Sequence, residues 1–155
     1  MMKKILFLGL LASFLFAFDW SGKVHWVQNY QTALKLAKKE HKLVMIDLSL
    51  SDCPPCRYIA EILYNNPQIS GYINKHFEPV FYLVNKDRIP YGVAQYFTGI
   101  TPTLLFIAPN GKMFYRMIGA RPPQIFLNTL QTINESFQKN EKVSGVAAEP
   151  KTVQY

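Results

Sequence analysis

The sequence predicts an α/β fold in which helices flank a central mixed sheet. Three apolar runs, at residues 43–46, 79–84 and 103–108, have the length and continuous hydrophobicity of strands that are buried on both faces. Segments with helical spacing of apolar residues separate the strands. Apolar residues make up 49% of the 155-residue chain, which is enough for the core of one ordinary domain and argues against intrinsic disorder.

Apolar residues that recur three or four positions apart predict the helices. The first helix is predicted over residues 26–41, ahead of the first strand. A second is predicted over residues 54–64, and it opens on Pro54 and Pro55, which the first turn of a helix tolerates. The remaining helices are predicted over residues 67–77, over residues 91–97, and from residue 122 or 123 to about residue 139.

A hairpin is predicted to complete the sheet. Asn110-Gly111 is a strong signal for a tight turn, so residues 112–118 are expected to return antiparallel to the third strand. Gly119 marks the end of this returning strand. Residues 19–23 give a weaker indication of one further strand near the start of the domain.

Residues 1–17 have the pattern of a secretory signal peptide. Lys3 and Lys4 provide the basic start, and an apolar run over residues 5–18 follows them. This run is shorter than the roughly 20 residues of a membrane-spanning helix, although a retained N-terminal anchor stays open as an alternative. Cleavage near Ala17 would leave the rest of the chain in an exported compartment such as the periplasm.

The rest of the chain is expected to form one domain over residues 18–139, followed by a polar, disordered tail over residues 140–155. Removal of Lys3 and Lys4 lowers the formal net charge from +7 to +5. The basic residues are dispersed along the chain, so they predict a solvated surface and no nucleic-acid partner. We expect the protein to be a monomer.

Cys53 and Cys56 are the only cysteines, and their spacing indicates exchange chemistry. Secreted proteins use disulfides to join distant segments, whereas a bridge between residues three apart closes too small a loop to stabilise the fold much. Exchange needs a thiolate, which the N-terminal end of a helix favours. Cys53, at that end, is the predicted nucleophile, and Cys56, one turn inside the helix, is the predicted resolving thiol.

Metal binding is an alternative use of the same two thiols. A zinc site needs four ligands, and the three histidines of the chain (His25, His41 and His76) are scattered. A Cu(I) carrier would also suit two soft thiolates. No metal site is predicted, but a zinc or Cu(I) module and a purely structural bridge stay open as weaker alternatives.

The sequence around the cysteines resembles the thioredoxin superfamily over about residues 24–138. Three segments in the family's order carry the resemblance: Val44-Met45-Ile46-Asp47, then Cys53-Pro54-Pro55-Cys56-Arg57, then Thr101-Pro102-Thr103-Leu104-Leu105-Phe106 followed by Asn110-Gly111-Lys112. The resemblance implies the thioredoxin fold. The opening helix is similar to that of the secreted branch and of the C-terminal domain of the transmembrane reductant conductor, through Ala33, Leu36, Ala37, Lys38, Lys39 and Lys42.

The resemblance also implies roles for three residues outside the cysteine motif. Asp47 matches the family's buried acid, which would accept the proton of Cys56, and burial in an apolar strand raises the proton affinity of a carboxylate. Pro102 matches the family's cis-proline, and Thr101 before it would offer its backbone to a substrate strand. The family places a lysine near the buried acid, whereas residues 80–83 contain none.

Two departures from the family pattern adjoin the cysteines. Asp52 stands where most relatives have an aromatic residue, and its charge disfavours a thiolate at Cys53, whereas Arg57 and the helix end favour one. Pro54 and Pro55 remove two amide donors from the region of the sulfur. A strong oxidant needs an unusually stable reduced form, so both departures favour a reductant.

The function expected from the sequence is that of a periplasmic reductase of protein disulfides. It would need no cofactor beyond the Cys53–Cys56 disulfide. Its partners would be oxidised protein thiols as substrate and a membrane-embedded electron donor. A disulfide oxidase or isomerase is the alternative within the same chemistry, and the Cu(I) or zinc module is the alternative outside it.

Overall fold

The computed structural model describes residues 17–144 and 151–152, so the predicted signal peptide lies outside the described residues except for Ala17. No helix in the described part of the chain combines the length and apolar character needed to cross a membrane. The elements in chain order are α1 (Tyr30–Glu40), β1 (Leu43–Ser49), α2 (Pro54–Tyr58), a π-helical segment (Ile59–Leu63), α3 (Pro67–His76), β2 (Phe77–Leu83), α4 (Tyr91–Ala94), β3 (Thr103–Ile107), β4 (Met113–Ile118), α5 (Pro123–Ser144) and β5 (Lys151–Thr152).

The five strands form one mixed sheet in the order β2-β1-β3-β4-β5. β1 pairs in parallel with β2 and antiparallel with β3, β3 pairs antiparallel with β4, and β4 pairs in parallel with β5. Every residue of β1 is buried, as its continuous apolar run predicts. The predicted α/β architecture with helices around a mixed sheet is therefore confirmed.

The two faces of the sheet are covered by different helices. Successive side chains of a strand point to opposite faces. Leu43 and Met45 of β1 belong to a core cluster with the π-helical segment, α3 and α5, whereas Val44 and Ile46 belong to a second cluster with α1 and α4. By this alternation Asp47 lies on the first face, which is the face that the cysteine-bearing chain segment covers.

The first helix begins at Tyr30, later than the predicted start at residue 26. The side chain of Asn29 accepts a hydrogen bond from the backbone N–H of Thr32 at 2.9 Å and so caps the helix. Before the cap the backbone N–H of Val27 donates to the carbonyl of Pro79 at 2.8 Å. The prediction was wrong here because apolar spacing does not reveal a competing contact with a distant strand.

The predicted helix over residues 54–64 consists of α2 and the π-helical segment. The backbone N–H of Tyr64 donates to the carbonyl of Ile59 at 2.9 Å, five residues earlier. One extra residue in a turn rotates the residues after it by about 100° around the helix axis. The rotation accompanies a Tyr64 side chain that is fully buried against the sheet.

The hairpin between β3 and β4 confirms the turn predicted at Asn110-Gly111. Gly111 has a positive φ of 83°, and its N–H donates to the carbonyl of Ala108 at 2.8 Å. The side chain of Asn110 accepts from the N–H of Lys112 at 2.9 Å, which is how asparagine supports such turns.

The C-terminal helix runs beyond its predicted end at residue 139. α5 continues to Ser144, because no glycine or proline interrupts the sequence between Gln124 and Ser144 and Gly145 follows. The tail expected over residues 140–155 thus begins inside a helix and includes the short strand β5, which corrects that part of the prediction. The other tail residues lie outside the described part of the chain.

Residues 18–26 form an irregular segment with a turn at Gly22-Lys23, which we name the N-terminal brace. It contains no strand, so the weak strand prediction at residues 19–23 was wrong. Gly22 has a positive φ of 53°, and a Cβ placed on it would lie 2.7 Å from backbone and side-chain carbons of Tyr64. The N–H of Lys23 donates to the carbonyl of Tyr64 at 2.8 Å, so the brace is fixed to the end of the π-helical segment.

Two glycine substitutions should therefore have opposite effects on stability. Gly71 lies in α3 with open space around it, so Gly71→Ala should raise the free energy of unfolding by about 0.5–1 kcal/mol. Gly22→Ala combines a strained φ with a backbone clash and should lower it by at least about 1 kcal/mol. Urea unfolding of both variants checks this, and effects of the same sign would contradict the fixed contact of the brace with Tyr64.

Candidate active site

Cys53 and Cys56 lie at the start of α2 and form a disulfide, with their Cα atoms 5.2 Å apart. Cys53 occupies the cap position and is 7% exposed, whereas Cys56 is 1% exposed. The loop before them is tied to the segment after β2, because the Asn85 side chain donates to the Ser51 hydroxyl at 2.7 Å and accepts from the Ser51 N–H at 3.3 Å. Both cysteines are buried, and Cys53, the less buried of the two, follows the carboxyl end of β1.

Thr101 and Pro102 lie next to Cys53 although they are distant in sequence. The Thr101 hydroxyl is 3.6 Å from the Cys53 sulfur and donates a hydrogen bond to it. The Thr101–Pro102 peptide bond is cis, as the resemblance implies, and the Pro102 carbonyl accepts from the N–H of Gly119 at 2.8 Å. The loop that enters β3 therefore faces the disulfide.

The four residues around the cysteines differ in what they contact. Pro54 and Pro55 occupy the first turn of α2 and are exposed, and neither has an N–H that could bind the sulfur. Asp52 is exposed. The guanidinium of Arg57 donates to the Ser51 carbonyl at 3.4 Å and lies 4.8 Å from the centre of a brace ring, that of Phe18.

Asp47 is buried, and each of its carboxyl oxygens accepts a hydroxyl hydrogen bond. Ser49 donates to Oδ1 at 2.6 Å, and Tyr64 donates to Oδ2 at 2.5 Å. Burial raises the pKa of Asp47 to about 6, and the two hydrogen bonds limit this rise because they favour the charged form. Burial, together with the neighbouring Asp47 charge, raises the pKa of Tyr64 well above its usual range.

The sequence pointed to Asp47 but not to its two hydroxyl partners. Ser49 lies two positions along the same strand, and the alternation of side chains would have placed it on the face of Asp47. Tyr64 carries no such signal, because its position depends on the π-helical turn. The stretch that lacks the family's lysine contributes Phe81, which is the register partner of Asp47 in β2.

Among residues 17–144, no group of three or more histidine, cysteine, aspartate or glutamate side chains is arranged to hold a metal ion.

Comparison with known proteins settles the family. A family model described as a thioredoxin-like domain matches residues 30–134, which is more than half of the chain. The chain belongs to the thioredoxin-like family. Thioredoxin H3 of Arabidopsis thaliana is 30% identical to this thioredoxin-like protein over 104 residues, covering 67% of the chain and 82% of the relative. The protein is accordingly a thiol–disulfide oxidoreductase of the thioredoxin superfamily, and the predicted fold and enzyme class are confirmed.

Solved structures share the fold of this thioredoxin-like protein. A thioredoxin from Thermus thermophilus matches with a TM-score of 0.60 and 26% identity, over 72% of this chain and 87% of that one. The oxidised C-terminal domain of DsbD from Neisseria meningitidis matches with a TM-score of 0.53 and 19% identity, over 66% of this chain and 90% of the domain. The second likeness is one of fold.

The raised pKa of Asp47 predicts a pH-dependent loss of stability in this thioredoxin-like protein. The folded state, with a pKa of about 6, binds the proton more tightly than the unfolded state, with a pKa near 3.8. Stability attributable to Asp47 should therefore be present below about pH 4 and be lost as the pH rises through 6, by up to about 3 kcal/mol.

The Asp47→Asn variant provides the comparison, because it cannot ionise. Its free energy of unfolding relative to the wild type should increase between pH 4 and pH 7.5, as measured by chemical denaturation of the oxidised proteins. Stability curves that run parallel across this range would show that Asp47 does not have a raised pKa.

Proposed function

We propose that this oxidoreductase is a periplasmic reductase of protein disulfides that acts through Cys53 and Cys56. The observation that carries the proposal is that Cys53 contacts Thr101 and is less buried than Cys56. Cys53 lies at the start of α2 within reach of the Thr101 hydroxyl, whereas Cys56 is sealed inside. This arrangement suits a pair in which one sulfur meets the substrate and the other completes the exchange.

The reaction transfers two electrons from the enzyme dithiol to a substrate disulfide. The Cys53 thiolate attacks one substrate sulfur, the substrate disulfide breaks, and the other substrate sulfur leaves as a thiolate that takes up a proton. The Cys56 sulfur then attacks Cys53, releasing the second substrate thiolate and leaving the Cys53–Cys56 disulfide. The proton lost by Cys56 goes to the Asp47 carboxylate, whose raised pKa suits a base near neutral pH.

Substrate would be held by the loop that enters β3. Pro102 has no N–H and its carbonyl is already used by Gly119, so the polar backbone groups left for a substrate strand are those of Thr101. Because Thr101 also contacts Cys53, a strand paired there would have its disulfide next to the nucleophile. We assign Thr101 and Pro102 to substrate binding on this basis.

The surroundings of Cys53 support the proposed direction of electron flow. Pro54 and Pro55 offer no amide donor to a thiolate, and the Asp52 carboxylate disfavours negative charge nearby. Arg57 opposes this effect, because its guanidinium keeps its positive charge while it contacts the Ser51 carbonyl and the Phe18 ring. Among these groups the Thr101 hydroxyl is the hydrogen-bond donor to the Cys53 sulfur, so a thiolate there has limited stabilisation, which favours a reductant. An oxidase or isomerase is the alternative, and the reduction potential distinguishes the two.

The periplasm and a membrane-embedded electron donor complete the proposal. Support comes from the signal-peptide pattern of residues 1–17 and from the likeness in fold to the DsbD C-terminal domain. Oxidised proteins of the same compartment would be the substrates.

The reduction potential tests the direction of electron flow. A value near that of thioredoxin, about −270 mV, is expected from equilibration with glutathione or a thioredoxin standard, whereas a value near about −120 mV would contradict a reductase. Tight, stoichiometric Cu(I) or zinc binding by the reduced protein without turnover would instead favour the metal module.

The two cysteine variants form a matched pair for the proposed roles. Cys53→Ser should lose insulin reduction altogether. Cys56→Ser should also fail to turn over, but it should accumulate a mixed disulfide through Cys53, which mass spectrometry of non-reduced samples detects. Equal trapping by both variants would refute the assignment of Cys53 as nucleophile.

A further inference from the structure

We propose that Tyr64 is a positioning residue for proton transfer: with Ser49 it holds the Asp47 carboxyl group and sets how readily that group accepts the proton of Cys56. The inference rests on the proposed function, since it concerns the second half of the exchange reaction. The family places a lysine on the neighbouring strand near the buried acid, and residues 80–83 contain none. In this protein the hydroxyl groups of Tyr64 and Ser49 control the acid instead.

The hydrogen bonds of the carboxyl group are the first argument. Ser49 and Tyr64 each donate to a different oxygen of Asp47, and all three side chains are buried. A carboxylate accepts both hydrogen bonds, whereas a protonated carboxyl group must itself donate one, so a hydroxyl has to give up its role as donor. The pair of hydroxyls therefore opposes protonation, and burial favours it.

The two strands that pair with β1 place no charged residue opposite Asp47. Phe81 of β2 and Leu104 of β3 are the register partners of Asp47, so the residues paired with it on both adjacent strands are apolar. The Tyr64 hydroxyl is the titratable group that faces Asp47 from the π-helical side, and Trp26 of the brace covers Tyr64. With charges absent from these partners, the hydroxyl hydrogen bonds are the adjustable contribution.

Three contacts keep the Tyr64 hydroxyl aimed at Asp47. The backbone N–H of Tyr64 donates to the Ile59 carbonyl, and the backbone carbonyl of Tyr64 accepts from the N–H of Lys23 in the brace. The Trp26 ring meets the Tyr64 ring edge-on, with the centroids 5.1 Å apart. Gly22 allows the brace to pass within contact distance of the Tyr64 backbone. The two backbone hydrogen bonds and the Trp26 contact restrict the Tyr64 ring, so its hydroxyl stays directed at Asp47.

The test removes single hydroxyl groups from the full-length protein. Tyr64→Phe and Ser49→Ala each leave the shape of the core nearly unchanged and remove one hydrogen bond to the carboxylate. The pKa of Asp47 should rise by about one pH unit in each variant. NMR titration of the Asp47 carboxyl carbon measures this rise. The acidic limb of the pH–rate profile for insulin reduction should shift to higher pH together with the pKa of Asp47. The variants should therefore lose roughly fivefold in rate at pH 6 and little at pH 8.

Tyr82→Phe is the matched control. Tyr82 is also a buried tyrosine with one hydrogen bond, from the backbone N–H of Tyr30, but it belongs to the core cluster on the opposite face of the sheet. Its variant should leave both the Asp47 titration and the pH–rate profile unchanged. Asp47→Asn should remove the acidic limb.

The outcomes separate this inference from the proposed function. A folded Tyr64→Phe protein with an unchanged Asp47 titration overturns the role of Tyr64. A shifted titration with an unchanged pH–rate profile also overturns it, because the hydrogen bond would then be structural only. Failure of the wild type to reduce insulin at any pH would refute the proposed function, while the carboxyl titration would still measure the hold of Tyr64 on Asp47.

Discussion

The buried carboxyl group of Asp47 is the constraint around which one whole face of the sheet is organised. It is the only ionisable side chain of β1, and the rest of that strand is packed on both faces. Burying a carboxylate is costly unless it is hydrogen-bonded, so two hydroxyl groups have to reach it from inside the core. A well-packed apolar residue would avoid that cost, so the burial of an acid here agrees with the chemical role proposed for Asp47.

The scaffold meets this demand by combining regular and irregular structure. The alternation along β1 supplies Ser49, and the π-helical turn after α2 delivers Tyr64. The brace then packs on Tyr64 and fixes its position. Tyr64 thereby connects the helical segment that begins with the cysteines to Asp47 of β1. Among the described residues, the hydrogen bonds to Asp47 come from the first face, and the opposite face packs against α1 and α4.

The regular part of this architecture could be predicted from the sequence, whereas the irregular part could not. The strands β1 and β3 follow from continuous apolar runs, the hairpin follows from Asn110-Gly111, and the start of α2 follows from two adjacent prolines. Such signals are local, and the cysteine motif is local too. The late start of α1, the course of the brace and the hydrogen bond from Tyr64 depend on contacts between distant segments, which spacing along one chain does not encode. Asp47 could be identified from the sequence because it matches the buried acid of the family that the sequence resembles.

The aromatic content of the brace gives the protein a built-in optical probe. The chain contains two tryptophans, and both pack on this side of the sheet. Trp20 stacks on Phe81 with the ring centroids 5.6 Å apart, and Trp26 contacts Phe81 and Tyr64. Tryptophan fluorescence excited selectively at the indole rings therefore reports on the face of the sheet that carries Asp47 and not on the face covered by α1. Emission spectra would follow local loosening of this region in real time, in unlabelled protein and separately from melting of the remaining core.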